Sequence, residues 1–429
     1  MKRTANVFKL GFILLILLTA FSAQADTYYV NKSGVDDAGR TGLNNTDQAW
    51  LTINYAIGRS EVGTGDIIEV GDGTYNEDVG IEKSITIQAE NKWGAIIGDG
   101  YAFGIGKVGG VSNVTIDGLK FNSDSDNYGI MAGYDYGGLH TASNCTIKNN
   151  YVQGRYYGIV DHSTTNNCTI TGNTIISAGA CGMELNGTGT YTISTNTVQN
   201  CTESGIVISE NFSGTATVSG NTVTGNGGAE QAGLSIQSDN VTLQGNTVQD
   251  NGDAGVAVSS GLSNININTN NQINSNDGVG VVVSGSATIE GNTINSNGNN
   301  GVYITGSATV QDNTINSNSA RGIEVEDGAS NVAISNNEIK YNTSDGVIVR
   351  SASNVTLTEN TLTNNSENGV TLYSSATLRG NKIESNTQDG VLIEAGSPDL
   401  GQDSEAGKGR NTIQNNSSYQ VRNLTREFK

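Results

Sequence analysis

The sequence predicts an all-β protein, a right-handed parallel β-helix of three stacked sheets with a short N-terminal capping helix. Three observations predict it. Gly followed by Ile, Val, Leu or Met recurs at repeat spacing from Gly129 to Gly390, and Asn-x-(Ile/Val/Leu) recurs from Asn150 to Asn411. The common interval is roughly 21 to 25 residues, the length of one solenoid coil. The step from each such Asn to the next Gly marker is nine residues in nine of eleven cases, a register that chance does not hold. Each unit also carries three short alternating runs, as in Ala287-Thr288-Ile289, Thr293-Ile294 and Val302-Tyr303-Ile304. Period two marks a strand with one buried face.

Three strands per turn, stacked in register, put apolar residues into ladders up the interior. No coil buries its apolar face alone, so the stack is the folding unit. The recurrent Asn is placed at the tight turn between the second and third strands. There its side-chain amide can bond to the equivalent Asn one coil away, and Asn tolerates the turn conformation.

Before the regular coils, Ile67-Ile68-Glu69-Val70, Ile85-Thr86-Ile87 and Val114-Thr115-Ile116 read as strands. Residues 50–57 read as a short amphipathic helix covering the N-terminal end, because an open strand edge invites aggregation. At the other end, either the insertion at 397–410 protects the last strands or a partner covers them.

Residues 1–25 read as a secretory signal peptide. Lys2, Arg3 and Lys9 form a basic start, residues 10–18 are nearly all apolar, and Ser22, Ala23 and Ala25 are small. The apolar run is too short for a stable membrane span. Residues 26–65 are then a lead-in and cap, residues 66–429 are β-helix repeats, and the protein is expected to be secreted, periplasmic or extracellular. Oligomeric state leaves no mark on this pattern.

The formal net charge is −20. Such a surface repels nucleic acid and anionic membranes, and also an acidic polysaccharide unless cations bridge the two. The same charge keeps a long repetitive β-protein soluble. Cys145 and Cys168 occupy matching contexts, Asn-Cys-Thr-Ile, one repeat apart. Stacked strands lie about 4.8 Å apart, within disulfide reach. The pair is either a disulfide or two stacked core thiols, and Cys181 and Cys201 complete an even count.

The step from Gly to the next Asn varies from 12 to 21 residues, so insertions gather after the Gly-initiated strand. The longest early one spans residues 133–144. Variable loops on a rigid scaffold are where function concentrates. Tyr128, Tyr134, Tyr136, Tyr151, Tyr156 and Tyr157 fall in this neighbourhood, with both histidines, His140 and His162, and with Arg155 and Asp161. Aromatic faces stack on sugar rings, so a polysaccharide is the expected partner, with Tyr134, Tyr136, His140, Tyr156 and Glu184 as the substrate-binding set. Alternation from an inward Ile159 turns Asp161 inward and His162 outward, in column with Asn186 and Ser209. A near-neutral histidine can serve as acid or base, and Arg155 could neutralise a substrate carboxylate. Tyr157, Asp161, His162 and Arg155 are therefore the catalytic candidates for lyase or C5-epimerase chemistry on a uronate polymer. No cofactor is expected apart from calcium, for which Asp124, Asp126 and Asp135 are candidate ligands; a solvated acidic loop is the plainer reading. Tyr303, Glu324, Glu326, Arg350, Tyr373 and Glu394 form a second mixed strip on the same face.

Tyr28-Tyr29-Val30, Trp50-Leu51-Thr52-Ile53, Gly65-Asp66-Ile67-Ile68 and Gly73-Thr74-Tyr75-Asn76-Glu77 resemble the N-terminal lead-in of the pectin-lyase-like superfamily. More closely, the chain resembles bacterial β-helix proteins that include mannuronan epimerases and the periplasmic NosD-like group. The resemblance spans nearly the whole chain after residue 25 and is specific for fold. Tyr157-Gly158-Ile159-Val160-Asp161-His162-Ser163 is similar to the epimerase catalytic coil, where Tyr-Gly-Phe precedes Asp-Pro-His-Asp or Asp-Pro-His-Glu. It departs by lacking the proline, shifting the Asp by one place and putting Ser163 where the acid follows His. The resemblance thus implies carbohydrate chemistry, with a non-catalytic surface or adhesion scaffold and a NosD-like accessory protein as the alternatives.

Overall fold

The computed structural model describes residues 25–98, 102–106, 109–122, 128–133, 140–228, 231–401 and 409–425. Among them, three sheets of 16, 15 and 15 strands run the length of the chain, and every recorded strand pair along them, from Thr27↔Ile67 to Val391↔Val421, is parallel. One coil contributes one strand to each sheet, as Ser286–Glu290, Thr293–Asn295 and Val302–Ile304 do. Stacking in register makes the interior from apolar ladders. Ile267, Ile289, Val310 and Ile334 form one on the first sheet, Ile273, Ile294 and Ile315 one on the second, and all are fully buried.

The recurrent Asn does not sit where the sequence reading put it. Asn292 lies between the first and second strands of its coil, and a second Asn ladder, with Asn297 as its member, lies between the second and third. In the first ladder each Nδ2 donates to the Oδ1 of the next coil's Asn, as from Asn271 to Asn292 at 2.8 Å and on to Asn313 at 3.1 Å. In the second ladder Asn276 donates to Asn297 and Asn297 to Asn318, each at 3.0 Å. The two corners share one turn: Gly291 and Ser296, just before the ladder residues, both have φ of 66° or 56°. The sequence reading gave the recurrent Asn the corner that the second ladder occupies, although Asn292 precedes the second run, Thr293-Ile294.

The N-terminal end is closed as expected, with shifted bounds. The helix is Ile53–Gly58, capped by Thr52, whose side chain accepts from Tyr55 N. Trp50 is outside it, because its backbone bridges Val30; its ring is buried and stacks on Tyr28 with centroids 5.6 Å apart. Thr27–Val30 pairs with Ile67–Val70, so the first sheet begins inside the lead-in. At the other end, Asp399 bridges Thr377 and Leu378 N donates to Asp399 O at 2.9 Å. That part of the insertion therefore lies along the last strand of the first sheet. Cys145 and Cys168 are register partners on that sheet, and all four cysteines are buried, free thiols.

Candidate functional site

The third sheet positions the site. Tyr128–Ala132 pairs with Tyr157–Asp161, which pairs with Met183–Leu185. Period two then sets the faces. Ile130, Ile159 and Met183 point inward and are fully buried, while Met131, Val160 and Glu184 share an outward column. One position beyond each strand, His162, Asn186 and Ser209 follow in column. Loops after the strands add Ser163 and Asn211. On this face lies a cleft of ≈ 360 Å³ lined by Tyr128, Met131, Tyr157, Val160, Asp161, His162, Ser163, Glu184, Asn186 and Asn211.

Two tyrosines make one wall. The Tyr128 and Tyr157 rings stack with centroids 5.7 Å apart and planes 15° from parallel. Tyr156 meets Tyr157 edge-on at 5.0 Å and is 43% exposed on the rim. Partial burial, then the nearby Glu184 charge, push the Tyr157 hydroxyl well above the usual tyrosine range, so it is a neutral donor. Glu184 and His162 line the cleft with it, and His162 is exposed.

Asp161 is placed as the alternation required, inward and almost fully buried. It occupies a ladder between Ala132 and Leu185. Its Oδ1 accepts from the backbone N–H of Asn186 and of Gly187, and its Oδ2 from the Tyr191 hydroxyl. Burial pushes its pKa up to about 7, against those three hydrogen bonds, which favour the charged form. Tyr191 is itself buried from the first sheet, in column with Cys168, and its ring meets Phe212 edge-on. The Asp161 backbone carbonyl accepts from Asn186 Nδ2 at 2.9 Å. Asp161 thus ties the cleft floor to the interior rather than presenting a carboxylate to solvent.

Arg155 is a correction. Expected to face a substrate carboxylate, it is 1% exposed and donates from Nη2 to Gly98 O at 3.0 Å. The register explains why. Gln153, Ile176, Gln199 and Thr224 are in column, so Arg155, two residues on, shares the inward corner position of Ala178, Cys201 and Asn226. Its guanidinium cannot reach a polymer on the outer face. Among the described residues, no Lys or Arg lines the cleft.

The other expected residues divide. Tyr151 belongs to the second sheet and packs on Trp93, centroids 5.1 Å apart, so it faces away. His140 lies just before the first-sheet strand Ala142–Lys148 and does not line the cleft. Tyr134, Tyr136, Asp124, Asp126 and Asp135 lie outside the described residues. Among the described residues, no group of three or more His, Cys, Asp or Glu could hold a metal ion, and no helix is long and apolar enough to cross a membrane. The sequence reading missed Tyr191, Asn211 and Glu203, which accepts from Cys181 Sγ at 3.5 Å. Tyr191 had a signal: a tyrosine in a ladder column held by Cys145 and Cys168 before it and by Ala216 and Val241 after it.

Three sheets of parallel coils with a tyrosine-walled cleft on one face define a parallel β-helix of the solenoid class. The chain matches the family model described as a right handed beta helix region over residues 99–236, 139–289 and 283–427, and it belongs to that family. Curated proteins give no significant match. Among solved structures, the chain is similar to the A-module of a mannuronan C-5 epimerase from Azotobacter vinelandii, at 16% identity and TM-score 0.41, covering 86% of this chain and 92% of that one. It is also similar to a mannuronic acid specific polysaccharide family 6 lyase from human gut microbiota, at 14% identity and TM-score 0.49, covering 83% and 86%. A family 6 polysaccharide lyase from Pseudopedobacter saltans matches at 14% identity and TM-score 0.43, covering 87% and 91%.

Proposed function

We propose that this chain is an exported β-helix protein that binds a polysaccharide in the third-sheet cleft. The stacked Tyr128–Tyr157 pair carries the reading. It gives a sugar ring a flat apolar wall, and Asn186, Asn211 and Glu184 offer the hydrogen-bonding groups that orient hydroxyls in such clefts. An open groove along stacked strands suits an extended chain.

Uronate-polymer lyase or C5-epimerase activity is the catalytic form of this proposal. His162 is then the proton-transfer group, since it is the exposed titratable side chain beside the tyrosine wall. The buried Arg155 cannot neutralise the uronate carboxylate, and Glu184 repels it, so this form requires calcium supplied from solution. The near-identical coils around residues 281–325, with strands of matching length, favour a non-catalytic scaffold as the second reading.

One experiment separates them. The protein without residues 1–25 is incubated with alginate and with pectate, with and without calcium. Unsaturated-product absorbance and the anomeric proton NMR are followed. Calcium-dependent change that His162→Ala abolishes supports catalysis. Unchanged polymer, with binding that Tyr157→Ala weakens and His162→Ala does not, leaves the binding protein. Loss of neither binding nor turnover in Tyr157→Ala overturns the cleft.

A further inference from the structure

We propose that Tyr303, Glu326, Arg350 and Tyr373 form a second carbohydrate subsite on the third sheet, selective for a neutral sugar unit, which holds the same chain as the tyrosine cleft. The inference rests on the polysaccharide reading above and extends it to a site far from the cleft. The outward columns set the place. Tyr303, Glu324 and Ile348 are register partners, and Glu326, Arg350 and Tyr373 follow one position beyond their strands.

The centre is a carboxylate that should not be buried. Glu324 lies on an outward column yet is 4% exposed. It accepts from Asn300 Nδ2 at 2.7 Å, from Arg321 Nη1 at 3.2 Å and from Arg350 Nε at 2.7 Å. A buried charge survives only with such partners. The consequence falls on Arg350. Its Nε also lies 3.2 Å from Glu326 Oε2, so the guanidinium plane is fixed by two carboxylates. The pair uses Nε, and neither Nη atom is bonded among the described residues, although the side chain is 32% exposed. The result is a rigid fork of outward N–H donors, with the entropy of ordering it already spent in the fold.

Beside the fork stand an acceptor and two rings. Glu326 has a quarter-exposed side chain, Tyr303 is half-buried behind it, and Tyr373 is 42% exposed. A fixed donor fork next to a carboxylate acceptor matches neighbouring sugar hydroxyls, and the exposed Tyr373 ring offers a stacking face. Charge decides between sugars. Arg321 and Arg350 are cancelled by Glu324 and Glu326, and Glu394 follows Tyr373 in column, so a uronate gains no attraction here.

The spacing gives the subsite its use. From Val160 the outward column runs through Glu184, Val207, Ser235, Ala257 and Val282 to Tyr303. Six strand steps of about 4.8 Å make about 29 Å. Two aromatic patches that far apart on one face are bridged by a long chain and not by a short oligosaccharide, and linked binding raises affinity without new contacts.

Affinity electrophoresis tests the inference, with galactomannan and xyloglucan as neutral polymers, alginate as the acidic one, and cellotriose, too short to reach both patches, as a competitor. The expected result is retardation by a neutral polymer, weakened about tenfold by Tyr373→Ala and at least as much by Arg350→Ala, as loss of a charge-assisted hydrogen bond predicts. Cellotriose should compete poorly. Arg350→Ala disturbs Glu324, so exposed Tyr373→Ala, with unchanged circular dichroism, is the deciding variant. Retardation lost in Tyr157→Ala but kept in Tyr373→Ala overturns this subsite and leaves the cleft. Retardation lost in Tyr373→Ala but kept in Tyr157→Ala supports the subsite and removes the cleft. Retardation by alginate alone, or by no polymer, overturns the inference.

Discussion

The Tyr191 hydroxyl donates to Asp161 Oδ2 across the interior of the solenoid, from the first sheet to the third. This is a polar bond where the neighbouring coils pack apolar ladders, directly beneath the cleft wall. Two backbone N–H groups at Asn186 and Gly187 complete the carboxylate's shell. The bond therefore fixes the turn that carries Asn186 and, through the Asp161 backbone, the base of His162.

Its pH dependence has a definite sign. Burial raises the Asp161 pKa to about 7 from the ordinary 3.8. The folded state then holds a proton that the unfolded state has released, so this group's contribution to stability falls as pH rises between those values. Wild type should lose stability relative to Asp161→Asn as pH goes from about 4 to about 7. Tyr191→Phe removes a donor to the charged form and should move the Asp161 titration higher still. Denaturant midpoints across pH, with NMR of the labelled carboxyl carbon, check both. A midpoint difference that does not change with pH would show that Asp161 does not titrate in this window.

Arg155→Ala should act on stability and leave sugar binding alone. The guanidinium is buried at a corner and bonded to the Gly98 carbonyl. Removing it takes away a charge-assisted hydrogen bond and opens space, a loss of about 2–3 kcal/mol. Thermal unfolding and affinity electrophoresis on the same variant test the split. Weakened binding at unchanged stability would return Arg155 to the outer face.

How much was legible follows from what each signal reports. Period two and the repeat interval report facing and stacking, so the three sheets, the inward Asp161 and the outward His162 could be read from the chain. They report the corners only when each Asn is placed against the flanking runs. Asn292 and Asn297 sit in equivalent turns, and their order among the coil's strands, Asn292 before Thr293 and Asn297 after Asn295, tells them apart. Arg155 was misread because its column, Ala178, Cys201 and Asn226 in the following coils, shows Asn only from Asn226 onward, so nothing nearby marked it as inward. Tyr191 and Asp161 are 30 residues apart on different sheets, and no local pattern joins them.

The cleft should respond differently to loss of its wall and of its histidine. Tyr157→Ala removes one ring of a stacked pair and should weaken polysaccharide binding about tenfold, in line with the about 1 kcal/mol or more carried by an aromatic contact. His162→Ala should leave binding within about twofold, because an exposed surface substitution rarely shifts a free energy by more than about 0.5 kcal/mol. Equal losses in both variants would place His162 in direct contact with the bound sugar.

The ladders predict that damage in one coil spreads to its neighbours. Asn297 Oδ1 accepts from the Asn276 backbone N–H and side chain, while its Nδ2 donates to Ile273 O and Asn318 Oδ1. Asn297→Ala therefore leaves buried groups unpaired in the coils on both sides, not only in its own. Each such group costs about 1–3 kcal/mol, which is large where each repeat is held by nearest-neighbour contacts alone. Asn297→Asp keeps the acceptor, and at low pH its neutral carboxyl offers one O–H in place of the two N–H donors to Ile273 O and Asn318 Oδ1, so there it should fall between wild type and Asn297→Ala. Hydrogen exchange should show faster opening centred on residues 273–318 in the alanine variant, with the coils around Tyr157 still protected. Uniformly faster exchange along the whole chain would mean that the stack opens as one unit and that the ladder does not localise the loss.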